Sequence, residues 1–570
     1  MALTFRMIKT LLAASSLLAL AACGQAMAPA DPEIAAVDGW CFSGGTIHTA
    51  NDAQPTADAV AVVGNKITYV GADEGDWCPV GAADYALNGY ALYPGLTDAH
   101  AHLIGIGKRE MELDLSGVTS VLELQDLVRM AASNTPIGET IYGDGWIETH
   151  WPEGRFPNRA DLDAVTDQHP VILQRADGHA AVANSLALSQ SSIDGTTEAP
   201  FGGAINLDAA GEPTGMLIDN AQSLVAGLIP EMDSATTEKA FQIGSDVYAS
   251  RGWTNIHSMS VVPGNVDTIN RLSNDGTIGI RVYNSVGVPE SRAGEKVSDM
   301  RGGMSAESPL VTTRAIKLYA DGALGSRGAA LLAPYSDDLG NSGLMMLERE
   351  RALPIFQSAL RNGIQVNTHA IGDKGNKAVL DWYEEAFASV PRGEWAVAEP
   401  RWRIEHSQIL DVADIPRFKA LGVIPSMQPS HAIGDLYFAV DRLGADRLAG
   451  AYAWRALIDT GVMIAGGSDA PVEVGDPRIE LHAAMQRTDL KGYSNENWGL
   501  DQRVTPQEAL KMFTLWPAYA AFEEDKVGSI EVGKHADFSV FDKDMLDPSI
   551  EPMDAEPVMT MVDGTVIWSR

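Results

Sequence analysis

The most distinctive chemistry in this 570-residue sequence lies in two histidines, His100 and His102, that a single residue separates. They follow the apolar strand pattern predicted over residues 91–99. Side chains at positions i and i+2 of a strand point to the same side, so both imidazoles can face one metal ion. Imidazole nitrogen is a common ligand for zinc and related metals. A His-x-His pair alone is weak evidence, and matching sites further along the chain give it weight.

Three downstream segments each place an imidazole or a carboxylate directly after a predicted strand. They are His369 after the strand over 364–368, His406 after 401–405 and Asp469 after 462–467. Each one alone fits a buried core histidine or a helix N-cap aspartate. Together they predict a shared metal site, in which the Asp469 carboxylate has the chemistry of a general base beside a metal-activated water.

The elements that must position these residues alternate between short apolar runs and longer helical patterns over residues 94–525. This alternation indicates parallel α/β architecture. Functional residues at the C-terminal ends of successive strands are typical of a (β/α)8 TIM barrel. The interval from His102 to the strand predicted over 254–258 is too long for one barrel connection, which predicts an insertion over about 110–250, after the first barrel strand.

The two ends of the chain share a different pattern, made of short strands joined by two-residue hairpin turns. Gly64-Asn65 and Asp563-Gly564 are examples of such turns. Residues 38–93 and 526–570 are therefore predicted to meet in one small β-sandwich domain beside the barrel.

The N-terminus has the pattern of an exported protein. Arg6 and Lys9 precede an apolar run that ends at Ala22, which predicts a signal peptide over residues 1–22. The sequence around Cys23 resembles the lipobox of bacterial lipoproteins, which implies acylation of Cys23, a tether over 23–37 and a periplasmic protein anchored in the outer membrane. The alternative is an ordinary cleaved signal peptide with an incidental cysteine.

Charge and cysteine content limit the class of protein further. A formal net charge of −35 argues against a nucleic-acid partner. Hydrophobic residues at 45% and charged residues at 21% are near the globular average, which argues against disorder and against a polytopic membrane protein. In an oxidising compartment, Cys41 and Cys78 are predicted to form a disulfide, with two buried free thiols as the alternative.

A series of short motifs runs along the chain from about Asp38 to Arg570. They are PGLTDAHAH (94–102), GEPTGMLID (211–219), IKLYADGALGSR (316–327), HAIGD (369–373), RIEHSQ (403–408), SMQPSH (426–431), GSDAPVE (467–473) and GSIEVGKHADFSVFD (528–542). This series, in this order, resembles the amidohydrolase superfamily and specifically its amidohydrolase-3, or YtcJ-like, branch. Such a series identifies a family with high specificity but gives little information about the substrate.

The resemblance implies a metal site built from six barrel residues. They are His100 and His102 on strand one, Lys317 on strand four, His369 on strand five, His406 on strand six and Asp469 on strand eight. In this reading Lys317 is carboxylated by carbon dioxide and bridges two metal ions. A charged lysine between Ile316 and Leu318 is costly to bury, whereas its carbamate is an anionic oxygen ligand. The alternatives are a Lys317–Asp321 ion pair or an ammonium that extends to water.

The same resemblance assigns substrate contacts to Asp177, His179, Gln428 and His431, each of which also fits a polar loop residue that satisfies backbone groups. His257 stands where the branch often has a more acidic strand ending, and we leave it outside the ligand set.

These observations predict a metal-dependent hydrolase that uses metal-activated hydroxide to cleave a C–N bond other than a peptide bond. The expected substrates are small amides, N-acyl or N-formyl amines or cyclic amides, and the expected cofactor is one or two zinc ions, with manganese, iron or cobalt as alternatives. An esterase or lactonase using the same site is the runner-up. A catalytically silent binding lipoprotein is the rival of a different class, and the complete ligand set argues against it. The sequence is compatible with a homo-oligomer.

Overall fold

The structure is a computed structural model that describes residues 38–230, 232–287, 308–495 and 498–570. Cys23, the predicted signal peptide and the predicted tether lie outside these ranges. Within them the strands are β1 Gly39–His48, β2 Thr56–Val63, β3 Lys66–Gly71, β4 Ala83–Ala86, β5 Ala91–Pro94, β6 Leu96–Ala101, β7 Leu113–Asp114, β8 Ile141–Trp146, β9 Val171–Arg175, β10 Ala180–Ala183, β11 Gly203–Leu207, β12 Pro213–Asp219, β13 Trp253–Val261, β14 Arg281–Gly287, β15 Val311–Tyr319, β16 Gln365–Ala370, β17 Arg403–His406, β18 Ile424–Met427, β19 Ala465–Gly466, β20 Phe538–Phe541, β21 Pro557–Val562 and β22 Thr565–Ser569.

The α-helices in the same ranges cover the barrel and the insertion. They are α1 Leu103–Arg109, α2 Val121–Asn134, α3 Arg159–Asp163, α4 Ser185–Gln190, α5 Ser234–Arg251, α6 Val266–Asn274, α7 Arg349–Asn362, α8 Asp373–Ser389, α9 Ile415–Leu421, α10 Pro429–Gly434, α11 Ala439–Leu443, α12 Trp454–Asp459, α13 Pro477–Gln486, α14 Pro506–Met512 and α15 Leu515–Ala520. In the described part of the chain, no helix has the length and apolar character needed to cross a membrane.

Eight of the strands form a parallel sheet in the order β19-β18-β17-β16-β15-β14-β13-β6. Its two edge strands meet where the backbone N–H of Asp469 donates to the carbonyl of His100 at 2.6 Å, so the sheet is nearly closed. Outward-facing residues such as Ile316 and Ile404 are fully buried under the helices, as parallel strands require. The predicted TIM barrel is confirmed.

One barrel strand, β14, is absent from the strands that the sequence pattern predicts. Its sequence, RVYNSVG, carries polar residues that interrupt the apolar run. Asn284 and Ser285 are fully buried, and each contacts a polar side chain of another barrel strand: the Asn284 amide donates to the Thr313 hydroxyl at 3.0 Å, and Ser285 accepts from the Asn367 amide at 3.2 Å. Because these polar residues interrupt the apolar run, the sequence pattern does not predict a strand here.

The strand predicted over 91–99 is divided between two sheets. β5 belongs to an eight-stranded sheet with β1–β4 and β20–β22, whereas β6 begins the barrel. Gly95 lies between them, and a Cβ there would be 2.3 Å from Thr254 Oγ1, so only glycine allows the chain to pass. Both ends of the chain thus share one sheet, in which a disulfide joins Cys41 of β1 to Cys78 in the loop before β4.

The insertion between β6 and β13 contains a separate six-stranded sheet in the order β11-β12-β10-β9-β8-β7. It has an apolar core of its own, which includes Leu124, Trp146 and Leu173. The turn between β9 and β10 carries Asp177 and His179, so the insertion contributes side chains to the same end of the barrel as the strand-end histidines.

A buried ion pair fastens the terminal sheet to the barrel, and it gives a first prediction. Arg281 of β14 contacts both carboxylate oxygens of Asp537 and reaches Asp563 at 3.1 Å, and Arg281 and Asp537 are both buried. Arg281→Ala leaves the Asp537 carboxylate buried without its main partner, so we expect the free energy of unfolding in urea to fall by about 3–5 kcal/mol.

Arg570→Ala is the matched control, because the Arg570 side chain is 50% exposed in its pair with Asp542. We expect it to cost about 0–1 kcal/mol. Equal losses for the two variants would show that the buried pair does not fasten the sheet.

Candidate active site

A cavity of about 460 Å³ lies at the C-terminal end of the barrel. All six side chains predicted as metal ligands line it. These are His100, His102, Lys317, His369, His406 and Asp469. They come from five different strands or strand ends, so closure of the sheet brings together residues as distant in the sequence as His102 and Asp469.

The centre of the site is the Asp469 carboxylate. Its Oδ1 lies 3.3 Å from Nε2 of His100 and 3.1 Å from Nε2 of His102. His100, His406 and Asp469 each offer a ligand atom within 4.8 Å of the others. Burial alone would raise the pKa of Asp469, but the surrounding imidazoles of His100, His102 and His406 hold it well below its usual range. The carboxylate is therefore ionised at neutral pH.

Backbone geometry at two of these residues is strained. Asp469 has φ 63° and His406 has φ 74°, both in the left-handed region that residues with a side chain rarely adopt. Such strain persists only where surrounding contacts impose it, and it is concentrated at functional sites. Here it turns both side chains into the mouth of the barrel.

Hydrogen bonds orient the imidazoles. Nδ1 of His102 is 3.1 Å from the carbonyl of Met259, and Nδ1 of His406 is 2.8 Å from Oε1 of Gln428. Because these oxygens only accept, each Nδ1 donates to its oxygen, and Nε2 of His102 faces the Asp469 carboxylate. Gln428 thus orients a predicted ligand, and its contact with substrate stays a prediction.

His100 is held by a network in the barrel interior. Its Nδ1 lies 2.6 Å from Oε2 of Glu405, and Glu405 is paired with Arg403 at 2.7 Å. Burial alone would raise the pKa of Glu405, but Arg403 and His100 hold it well below its usual range. Arg403 also contacts Nδ1 of His257 at 3.0 Å, which places His257 in this supporting network.

A metal ion fits the donors that this arrangement leaves free. Nε2 of His100 is buried, and its 3.3 Å contact with the Asp469 carboxylate lacks hydrogen-bond geometry. Leaving such a nitrogen without a hydrogen bond is costly. Several imidazoles with one carboxylate are a donor set suited to zinc and related divalent metals. The residues present therefore match a metal site.

Lys317 of β15 is buried beside these residues. Its Nζ lies 4.4 Å from the centre of the Tyr319 ring, and within the described ranges it makes no ion pair. The alternative of a Lys317–Asp321 pair is therefore wrong. Asp321 is satisfied otherwise, since its carboxylate accepts from the backbone N–H groups of Ala330, Ile371 and Gly372. Burial raises the pKa of Asp321 to about 7.

His369 and His179 pack together across the boundary between barrel and insertion. Their ring centres are 5.0 Å apart, and the His369 ring is 4.5 Å from that of His406. Nδ1 of His179 lies 2.6 Å from Oδ1 of Asp219 at the end of β12. The insertion thus supplies an oriented imidazole to the wall of the site.

The other residues predicted to contact substrate lie at the edge of the cavity. Asp177 is paired with Arg175 at 2.5 Å and lines the cavity. His431 has Nε2 3.7 Å from Oδ2 of Asp469.

Sequence reasoning missed three residues of the site, Arg403, Glu405 and Asp219. Arg403 and Glu405 alternate in β17 and so point to the same side, into the barrel. That i and i+2 spacing within RIEHSQ is a detectable pattern. Asp219 ends the GEPTGMLID motif, but its contact with His179 depends on the pairing of β12 with β10 and has no counterpart in the sequence.

Comparison with known proteins decides the family. A family model described as the Amidohydrolase family matches residues 85–568. The chain belongs to the amidohydrolase family. This amidohydrolase is 30% identical over 542 residues to YtcJ of Bacillus subtilis, which carries an amidohydrolase name, covering 93% of this chain and 99% of YtcJ. It is also 27% identical over 544 residues to the N-substituted formamide deformylase of Arthrobacter pascens, covering 92% and 97% of the two chains.

Solved structures agree with this assignment. An uncharacterized metal-dependent hydrolase from Pyrococcus horikoshii is similar with a TM-score of 0.71 and 26% identity, over 90% of this chain and 99% of that chain. A triazine hydrolase variant, at 15% identity and a TM-score of 0.52 over 93% of this chain and 95% of that chain, shares the fold. The amidohydrolase is therefore a hydrolase of this superfamily, and the histidine and aspartate cluster supports a divalent metal.

The network behind His100 gives a second prediction. The negative charge of Glu405 orients the His100 imidazole and makes that imidazole more basic. Glu405→Gln removes this charge. We expect zinc affinity, measured by competition with a chromophoric chelator, to weaken by about 10–100-fold.

Glu399→Gln serves as the control, because the Glu399 side chain is 70% exposed. Melting temperatures of both variants separate a loss of metal affinity from a loss of folding. Unchanged zinc affinity in Glu405→Gln would show that the Arg403–Glu405 network does not support metal binding by His100.

Proposed function

We propose that this amidohydrolase hydrolyses a C–N bond of a small amide, an N-acyl or N-formyl amine or a cyclic amide. The observation that carries the proposal is the Asp469 carboxylate within 3.3 Å of two imidazole nitrogens in an open cavity. The similarity to an N-substituted formamide deformylase supports C–N chemistry in the same fold.

The residues that would hold the metal are the four histidines, Asp469 and a carboxylated Lys317, with one or two zinc ions as the proposed cofactor. A bound divalent metal supplies Lewis acidity, which polarises a carbonyl and brings the pKa of water toward neutrality. The remaining chemistry belongs to the chain. Asp469 accepts the proton of the attacking water at a carboxylate oxygen and returns it to the nitrogen of the leaving amine.

The balance of this hydrolysis is simple. A bond forms between the water oxygen and the carbonyl carbon, the C–N bond breaks, and the amine leaves with the proton that Asp469 held. His179 and Asp177, which the insertion places over the cavity, are proposed to orient the substrate. Their partners Asp219 and Arg175 fix them before substrate arrives, so little ordering is required on binding.

The test is a substrate screen with metal-loaded mature protein that lacks residues 1–23. N-formyl amines, N-acetyl amines, cyclic amides, esters and lactones are incubated together and followed by mass spectrometry. We expect C–N cleavage, with kcat/KM reduced about 10²–10⁴-fold in Asp469→Asn because the proton acceptor is lost. Asp126→Asn, at a side chain that is 61% exposed, should keep full activity.

Turnover of esters or lactones without any amide would instead assign the runner-up reaction. Metal binding without turnover of any of these classes would favour a binding protein.

We further propose that Lys317 is carboxylated. Its neutral Nζ attacks the carbon of carbon dioxide, an N–C bond forms, and a proton leaves to water. The product is an anionic oxygen ligand in a place where a charged ammonium has no counter-ion among the described residues.

Lys317→Ala should lower the metal content from two ions per chain to at most one, as measured by elemental analysis of dialysed protein. The control is Lys377→Ala, at a side chain that is 44% exposed. Two full metal ions in Lys317→Ala would contradict a bridging carbamate.

For localisation we propose a periplasmic lipoprotein that is anchored in the outer membrane through acylated Cys23. Full-length protein expressed in a bacterial host should partition into the detergent phase of Triton X-114, and Cys23→Ala should partition into the aqueous phase. Aqueous partitioning of both proteins would favour an ordinary cleaved signal peptide.

A further inference from the structure

A second cavity opens beside the metal residues and is shared with them. His369, His406 and Asp469 line its near wall, and Asp435 and Glu473 line its far wall. We call this space the acidic side cavity. None of the hydrolytic steps above uses its far wall.

The two far-wall carboxylates lack cationic partners. Asp435 accepts hydrogen bonds from the amide of Gln408 at 2.8 Å and from the hydroxyl of Tyr452. Glu473 makes no side-chain hydrogen bond with the residues that the structure describes. Across the described ranges, neither carboxylate lies within 4.0 Å of a lysine, arginine or histidine nitrogen.

The cations nearest to this cavity are already neutralised. Arg175 is buried against Glu148 at 2.8 Å and against Asp177 at 2.5 Å, so two carboxylates share one guanidinium. Arg442 contacts Asp337. Within the described ranges, the chain therefore offers Asp435 and Glu473 no cationic side chain as a partner.

A buried nitrogen without a hydrogen bond also lines this cavity. His431 is 8% exposed, and its Nε2 lies 3.7 Å from Oδ2 of Asp469 but makes no hydrogen bond to any described residue. Buried polar atoms are almost always satisfied, so an orphan in the wall of a cavity indicates a polar ligand. Together with the carboxylates, it distinguishes this space from an acidic patch on a solvated surface.

Desolvation opposes the ionisation of both carboxyls when no cation is beside them. It raises the pKa of Asp435 to about 7, and burial together with Asp435 and Asp469 raises that of Glu473 to about 8. A cation between the two carboxylates would supply the missing counter-charge and charge-assisted hydrogen bonds.

We propose that the acidic side cavity is a subsite for a cationic group of the substrate, an ammonium or a guanidinium. Because the cavity shares Asp469 with the metal site, this group lies on the same molecule as the scissile bond. This inference rests on the proposed function. It narrows the substrate class to amides or N-acylated amines that carry a second, positively charged nitrogen. A neutral alkyl amide would leave Asp435 and Glu473 without a cationic partner.

Binding tests the subsite independently of turnover. The probes are n-butylguanidinium and its neutral isostere n-butylurea, titrated by calorimetry into metal-loaded mature protein. We expect the cation to bind at least about tenfold more tightly than the urea, because only the cation can pair with these partly exposed carboxylates. Glu473→Gln and Asp435→Asn should each lose most of this preference, whereas Glu350→Gln, at a side chain 77% exposed, should keep it. Melting temperatures verify that each variant is folded.

Equal affinity for the two probes, or an undiminished preference in both cavity variants, would overturn the subsite. A kinetic comparison of N-acetyl-1,4-diaminobutane with neutral N-acetylpentylamine separates this failure from failure of the proposed function. Amide turnover without any preference for the cation in binding removes the subsite and leaves the hydrolase. A cation preference in binding without turnover of any amide removes the hydrolase assignment and leaves the subsite.

Discussion

The structure depends on keeping one charged carboxylate, Asp469, buried among imidazoles. A buried ion is tolerated only when partners surround it on every side. Here the partners come from both sides of the barrel closure, since Asp469 follows β19 while His100 and His102 end β6. The contacts of Asp469 with His100 and His102 therefore both build the candidate active site and join the two edges of the barrel.

The closing seam is reinforced beneath the site. Asp98 of β6 accepts from the backbone N–H of Ser468 at 3.0 Å and from the Tyr248 hydroxyl at 2.8 Å. Gly467 allows this approach, because a Cβ there would lie 2.5 Å from the backbone nitrogen of His100. Across the barrel, the Arg403–Glu405 pair holds His100 from the opposite side. A change in these supporting residues should thus alter the site without removing a ligand.

The insertion adds polar side chains to the wall of the main cavity. Its turn places His179 against His369, and its strand end supplies Asp219 to orient that imidazole. The candidate metal ligands thus belong to the barrel, while other parts of the cavity walls belong to the insertion and to the loops after β18 and β19.

The sequence by itself determined the barrel, the terminal sheet, the insertion and the six predicted metal ligands that line the main cavity, because each depends on local pattern. Strand periodicity, and the identity of the residue that follows each strand, can be recognised from consecutive residues. It did not reveal β14, whose buried polar residues are satisfied only by neighbouring strands. Nor did it reveal the contact of Glu405 with His100 or the unbalanced pair of Asp435 and Glu473. Those features depend on which atoms become neighbours when distant segments pack and water is excluded, and only the tertiary structure decides that.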